Sequence, residues 1–490
     1  MNLAAVIEPH PAEAPALRTA AGVLTYGDLR TQVAGARAAL AEHGIGPGGR
    51  VALVSENDPA FVIAYLAALG LGAVAVPLNP GSPAAELERE VDAVGATVLV
   101  VGRTGREAVA GLAAQRPGLV VLDDLSGRGG RGGEVPMVDR ADDDLAVLIF
   151  TAGTAGSPKA AMLTHGNLRA NLEQVQRHPG REVQSSDVSL GVLPLFHIFG
   201  LNVVLGLMLL VGGSVALDER FEPTRTLAMV RDHGVTLVAG APPMYRAWAN
   251  LPGAEADAFA HVRLLTSGAA PLPDEVAHAF TTRFGVPIHQ GYGLTEASPV
   301  VTSSLIEDEP KAGSIGVPLP GVEVRLIDTE GEDALVGDDG EIWVRGANVF
   351  SGYWQDEEAT AAVLTPDGWL KTGDIAVADE SGHLWIVDRA KDLIIVSGFN
   401  VYPVEVEEAL LAHPGIAEVA VVGVPAAATG EAVKAFVVRG PGADGLTEAD
   451  VTEFAASCLA RYKAPTEVSF VPEVPHGLAG KLLRRQLRSA

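Results

Sequence analysis

Apolar positions along the first half of the chain switch repeatedly between a helical and an extended period. Thr25 with Asp28 three places later is a capping-box start for a helix whose apolar face carries Leu29, Val33, Ala36 and Leu40, and Gly44 and Pro47 stop it. Short apolar runs at 50–55, 73–77 and 97–101 then read as strands, with helical patterns at 59–70 and 83–94 between them. Strands alternating with helices imply right-handed parallel crossovers, hence an α/β fold. Residues 123–144, rich in Gly, Arg and Asp without an apolar period, read as a surface connection. The alternation resumes with a strand over 145–150, a helix over 165–176 and strands at 188–193, 214–217 and 236–239.

The texture changes at Gly313. Segments 321–328, 340–345 and 382–387 are short and bounded by Gly and Pro, which predicts a β-rich subdomain over about 313–388. Beyond Arg389 a helix at 403–412, strands at 419–424 and 432–438 and a helix opening near Thr447 predict a compact α+β module of about a hundred residues. Residues 196–217 carry no Asp, Glu, Lys or Arg, but His197, Asn202, Ser214 and several glycines interrupt them, so they read as a buried helix followed by a strand.

Composition narrows the class. A chain of 490 residues exceeds one ordinary core and implies two or more domains. The 35 Lys and Arg against 61 Asp and Glu give a formal charge of −26, which disfavours nonspecific binding to nucleic acid or to anionic membrane. Cys458 is the only cysteine, so an intrachain disulfide and a thiolate metal cluster are excluded. Met1 to Pro11 lacks the basic and apolar regions of a secretory signal, and a reducing cytoplasmic setting is the expectation.

The candidate chemistry starts at Phe150 to Ala160, which follows the apolar run 145–150 as a loop at a strand's carboxyl end. Gly153 and Gly156 let backbone N–H groups approach an anion, Thr151, Thr154 and Ser157 offer hydroxyls, and Lys159 a point charge. This is the chemistry of a phosphate cradle, although not of a Walker loop, because Pro158 stands where a glycine is required and Ala160 where Ser or Thr would hold magnesium. Gln290 to Glu296 puts an aromatic, a hydroxyl and a carboxylate on what reads as a turn of glycines, and Thr372-Gly373-Asp374 puts a carboxylate on another. His197 follows Pro194-Leu195-Phe196. Each island alone is equally compatible with an ordinary turn or a structural histidine. No His-Glu-x-x-His, Cys-x-x-Cys or complete Gly-x-Ser-x-Gly occurs, which argues against zinc enzymes and serine hydrolases.

Order and spacing decide among these readings. Phe150 to Ala160, Pro194 to Gly200, Gly291 to Glu296, Thr372 to Asp374, Asp388 to Glu405 and Gly480-Lys481-Leu482 resemble, over nearly the whole chain, the signature series of the adenylate-forming superfamily of acyl- and aryl-CoA synthetases, adenylation domains and luciferases. The resemblance implies an N-terminal domain, 1–390, of two α/β sheets and a distorted β-barrel, and a small mobile α+β lid, 391–490. It implies that a carboxylic acid is activated with ATP and Mg2+ as an acyl-adenylate and passed to a thiol, usually that of CoA. Thr151, Gly153, Thr154, Gly156 and Lys159 would then grip phosphates, and Thr295 would contact a phosphate. Glu296 would hold magnesium, and Gly268, Ala269, Ala270, Tyr292 and Gly293 would line the adenine pocket. Asp374 and Arg389 would bind the ribose, Lys481 would be the catalytic lysine of the lid, Lys391 its hinge, and Gly398 would line the pantetheine tunnel. His197, beside the acyl group, would join Lys481, Thr295 and Glu296 as a catalytic residue.

Several departures sharpen the expectation. Ala152, Ala155 and Ala160 replace a serine, a threonine and a glycine of the family loop, and each lost hydroxyl would cost about 0.5–1.5 kcal/mol if it bonded ATP. Leu195 to Phe199 lacks the aspartate that pairs with an amino-acid substrate. Phe350 to Asp374 runs through Gly352-Tyr353-Trp354 without the insertion of fatty acyl-AMP ligases, and only Leu482 to Ala490 follow Lys481, so CoA is expected as acceptor rather than a fused carrier. Small and apolar residues around 197–202, 239–243, 266–270 and 291–294 suit a medium- or long-chain fatty acid. An aryl acid, a dicarboxylate near Arg246, a separate carrier protein as acceptor and a ligand-binding homologue without catalysis are the alternatives. A homo-oligomer stays open.

Overall fold

The computed structural model describes residues 1–490 except 117, 128–134, 152–158, 180–181, 307, 390–391, 393, 397–398, 427–429, 460–462, 477–481 and 489–490. It has two compact units, Met1–Glu323 with Val344–Leu370, and Val324–Trp343 with Lys371–Ala490.

Two large sheets frame the first unit. In the six-stranded sheet the order is Val120–Leu122, Val98–Val101, Arg50–Val54, Val74–Pro77, Leu145–Thr151, Lys159–Thr164. All neighbours run parallel except the last pair. The buried Val, Leu and Ala runs of these strands are the mark of a sheet covered on both faces. The nine-stranded sheet is parallel from Pro15–Thr19 through Ser214–Leu217, Val188–Gly191, Leu237–Gly240 and Leu264–Ser267 to His289–Gly293, with antiparallel strands at both ends.

The helices form where the sequence signals them. Thr25 and Asp28 make the expected reciprocal cap of Tyr26–Glu42, and Leu29, Val33, Ala36 and Leu40 are buried. Pro59–Gly70 has Asp58 as N-cap, accepting from the Phe61 N–H at 2.8 Å, and is buried on every side from Ala60 onward, as an apolar helix without a polar face must be. Phe199–Gly206 is wound as a π-helix, runs into Leu207–Val211, and is followed by the strand Ser214–Leu217. No described helix is long and apolar enough to cross a membrane.

Val322–Ile327, Asp339–Gly346, Leu370–Ala378 and Leu384–Arg389 form a four-stranded sheet from the β-rich stretch. In the second unit Gly430–Arg439 pairs with Ile416–Ala426, Ile394–Val396 and Glu467–Phe470. Helices Pro403–Leu411 and Glu448–Cys458 close its core through Val406, Leu410, Val451 and Ala455.

Candidate active site

The phosphate-loop expectation gains a different frame. Thr151 ends one strand and Lys159 begins the next, and the two face each other in antiparallel register, so these strands pair antiparallel at the sheet's edge. A strand over Lys159–Thr164 is absent from the sequence reading. Thr151 Oγ1 donates to the Lys159 carbonyl at 3.4 Å. Gly153, Thr154 and Gly156, with Ala152, Ala155, Ser157 and Pro158, lie outside the described residues. Ala160, which stands where the family has glycine, is buried in the core of the six-stranded sheet, where its methyl packs among aliphatic side chains.

Gly291 to Glu296 is not a turn of glycines. Gly291 to Gly293 complete the strand His289–Gly293, and Thr295 and Glu296 open a single 3-10 turn, Thr295–Ala297. The glycine at 293 is required by packing, since a Cβ there would come within 2.2 Å of the Pro299 carbonyl oxygen. Ser267 pairs in parallel with Gln290, so Gly268 to Ala270, which follow one strand, lie at the same end as Gly291, Tyr292 and Gly293, which complete its neighbour. Ala269 holds a left-handed φ of 68°, the kind of local strain that persists where the surroundings dictate it. The ring of Phe199 covers Gly268, where a Cβ would lie 3.1 Å from its Cε1. Exposed His197 sits two residues earlier, and its Nδ1 accepts from the Phe199 N–H at 3.3 Å. Arg246, considered as a partner for a dicarboxylate, is an exposed residue paired with Glu275 at 3.3 Å.

Three distant parts of the first unit meet at Tyr353. The backbone of 351–354 lies along the edge strand, with Met162 N–H donating to Gly352 O at 2.9 Å, Ser351 N–H to Met162 O at 3.0 Å and Trp354 N–H to Ala160 O at 2.8 Å. That fixes the phenol between two predicted site residues. Its hydroxyl donates to Glu296 Oε1 at 2.7 Å, and Lys159 Nζ lies 5.2 Å from its ring centroid. Burial, then the nearby Glu296 carboxylate, push the phenol pKa far above the ordinary range, so the hydroxyl stays protonated and donating. Tyr353 entered the sequence reading only as part of an uninterrupted stretch; its importance comes from pairing with Ala161, which no local pattern announces.

In the second unit Thr372 to Asp374 also lies within a strand, Leu370–Ala378, rather than on a turn. Asp374 is buried, and its backbone is directly opposite Arg389 in the antiparallel register. Lys391, Gly398, Gly480 and Lys481 lie outside the described residues.

The comparisons with known proteins fit this arrangement. The family model described as AMP-binding enzyme matches residues 3–354, and that of the AMP-binding enzyme C-terminal domain matches residues 405–481. The chain belongs to the AMP-binding enzyme family. Its relatives include a feruloyl-CoA synthase of Amycolatopsis sp, 39% identical over 98% of this chain and 96% of the relative. A long-chain-fatty-acid–CoA ligase of Bacillus subtilis is 35% identical over 95% of this chain and 89% of the relative. The crystal structure of ATP-bound MatB from Rhodopseudomonas palustris superposes with a TM-score of 0.91 at 33% identity, covering 100% of this chain and 98% of that one. Family membership makes the protein an AMP-forming acid–thiol ligase of the adenylate-forming superfamily, with ATP and CoA as co-substrates.

Proposed function

We propose that this AMP-binding enzyme is an aryl-CoA ligase that activates a planar aromatic carboxylic acid as its adenylate and transfers it to CoA. The supporting observation is the Phe199 ring lying over the bare backbone of Gly268, which leaves a flat apolar wall beside the residues expected to line the acyl pocket. The 39% identity to a feruloyl-CoA synthase supports the same reading. A medium- or long-chain fatty acid is the second reading, favoured by the small apolar lining and by the Bacillus subtilis relative.

In this reading Lys159 and the Thr151 to Lys159 loop bind the phosphates of ATP, Thr295 contacts a phosphate, and Gly268 to Ala270 with Tyr292 and Gly293 hold adenine. Asp374 and Arg389 bind the ribose. Glu296 suits magnesium: a hard carboxylate with one oxygen engaged by Tyr353 and the other without a hydrogen bond among the described residues. No described group of three or more His, Cys, Asp or Glu could hold a metal, which fits an ion carried mainly by substrate phosphates. Magnesium, when bound, neutralises phosphate charge and favours departure of pyrophosphate. The acid's carboxylate oxygen attacks the α-phosphorus, and Lys481, on a lid of residues 391–490 turning about Lys391, offsets the developing charge, an effect of several kcal/mol. The CoA thiol then displaces AMP, with Gly398 beside the pantetheine path. Consumption of ATP and CoA suits the reducing cytoplasm expected from the lone cysteine.

A panel of aryl, fatty and dicarboxylic acids assayed for AMP release with and without CoA tests the reading. Preference for a hydroxycinnamate-type acid with CoA-dependent release is expected; preference for an aliphatic acid replaces the first reading by the second.

A further inference from the structure

The ammonium of Lys159 and the carboxylate of Glu296 approach the same phenol without meeting each other. Lys159 lies over the ring face, 5.2 Å from its centroid, and Glu296 accepts the hydroxyl's hydrogen bond at 2.7 Å. No ion pair within 4.0 Å joins them, although a direct Lys–Glu contact is the simplest way for two such charges to settle. Were they paired, binding an anionic phosphate and a cation would first have to break that pair. Held on an aromatic spacer, the ammonium stays apart from the carboxylate, and the carboxylate keeps one oxygen without a hydrogen bond among the described residues.

We propose that Tyr353 is a positioning residue for magnesium-bound ATP, keeping Lys159 and Glu296 adjacent but unpaired so that each is ready for its ligand; this rests on the ligase reading above. The backbone contacts of 351–354 with the edge strand set the ring's place, and Phe350 packs edge-on against it at 5.0 Å. The ring is therefore held independently of its hydroxyl, and Tyr353→Phe removes the bond to Glu296 alone. Loss of one hydrogen bond to a charged group predicts about tenfold weaker binding of magnesium-bound ATP. Tyr353→Leu removes the spacer as well, lets Lys159 reach Glu296, and weakens binding of ATP with and without the metal.

Calorimetric titration of the full chain with ATP, in magnesium and in EDTA, reads the effect directly. Tyr353→Phe is expected to lose about tenfold in affinity with magnesium and less than twofold in EDTA, with an unchanged melting temperature. In the assay the KM for magnesium-bound ATP rises by a similar factor while the KM for the acid stays constant. Combined with Glu296→Gln, the same substitution should add nothing, because Tyr353 acts through that carboxylate. Unchanged affinity in Tyr353→Phe, equal losses with and without magnesium, or a full further loss in the Glu296→Gln background would overturn the proposal. The titration is decisive even if no acid in the panel is turned over, a result that would count against the ligase reading instead.

Discussion

Glu296 in the first unit and Glu407 in the second are both carboxylates held by strong hydrogen bonds, and they differ in what is left over. Glu407 is 8% exposed; its Oε1 accepts from the Val421 N–H at 2.7 Å and Arg484 Nε at 3.1 Å, and its Oε2 from Arg484 Nη2 at 2.6 Å. The Arg484 side chain is 11% exposed and reaches toward Asp392 at 3.7 Å. Glu296 has one side-chain hydrogen bond among the described residues, which leaves its second oxygen without one there. A carboxylate with both oxygens engaged holds a fold together, whereas one half engaged is set up to receive something.

The largest test of that contrast is Glu407→Ala. It removes the two short bonds that Arg484 makes to this carboxylate and the acceptor of the Val421 N–H, and is expected to cost about 3 kcal/mol of stability, read by denaturant unfolding of the second unit's signal. If it costs less than about 1 kcal/mol, the pair is not structural. Glu296→Ala should do the opposite, costing only about 1 kcal/mol of stability through the Tyr353 hydroxyl it leaves without its acceptor while turnover falls about a hundredfold, roughly 2.7 kcal/mol in the barrier. A fall in stability with unchanged turnover would erase the distinction.

A third carboxylate sharpens it further. Glu90 is buried on the helix Ala84–Val94, its Oε2 has no hydrogen-bond partner among the described residues, and desolvation followed by repulsion from Glu86 raises its pKa from 4.5 to about 7. The folded chain thus keeps this proton between those two values while the unfolded chain releases it. Stability therefore falls as pH rises through that window and levels off above about 7. Glu90→Gln should match the native chain at low pH and exceed it at pH ~8 by about 1–2 kcal/mol, measured from unfolding midpoints at both ends. A gain equal at both ends would assign the effect to something other than ionisation.

The same distinction explains what could be read in advance. Local signals sufficed where structure is local: Thr25 with Asp28, Pro59 after Asp58, and Thr447, which caps Glu448–Cys458 through Asp450. The alternation of strand and helix in the first unit, and the order of the polar islands, carried the fold class and the family. The strands Lys159–Thr164 and His289–Gly293 were hidden because lysine, glycine and small residues weaken the extended pattern, and they are held by partners far along the chain. Asp374 looked like a turn residue for the same reason, since Gly373 at a φ of 73° bends a strand without ending it. Tyr353 was illegible because its place is set by register with Ala161.

The segment that carries Tyr353 also covers the outer edge of the six-stranded sheet, where Lys159–Thr164 would otherwise offer unpaired N–H and C=O groups to any passing strand. If Tyr353 positions magnesium-bound ATP as proposed, protection of the sheet edge and substrate binding fall to the same few residues. A change in 351–354 that loosens the cover risks self-association as well as a weaker grip on nucleotide, so drift in this stretch is checked twice. Aggregation during folding and loss of activity afterwards would have one cause.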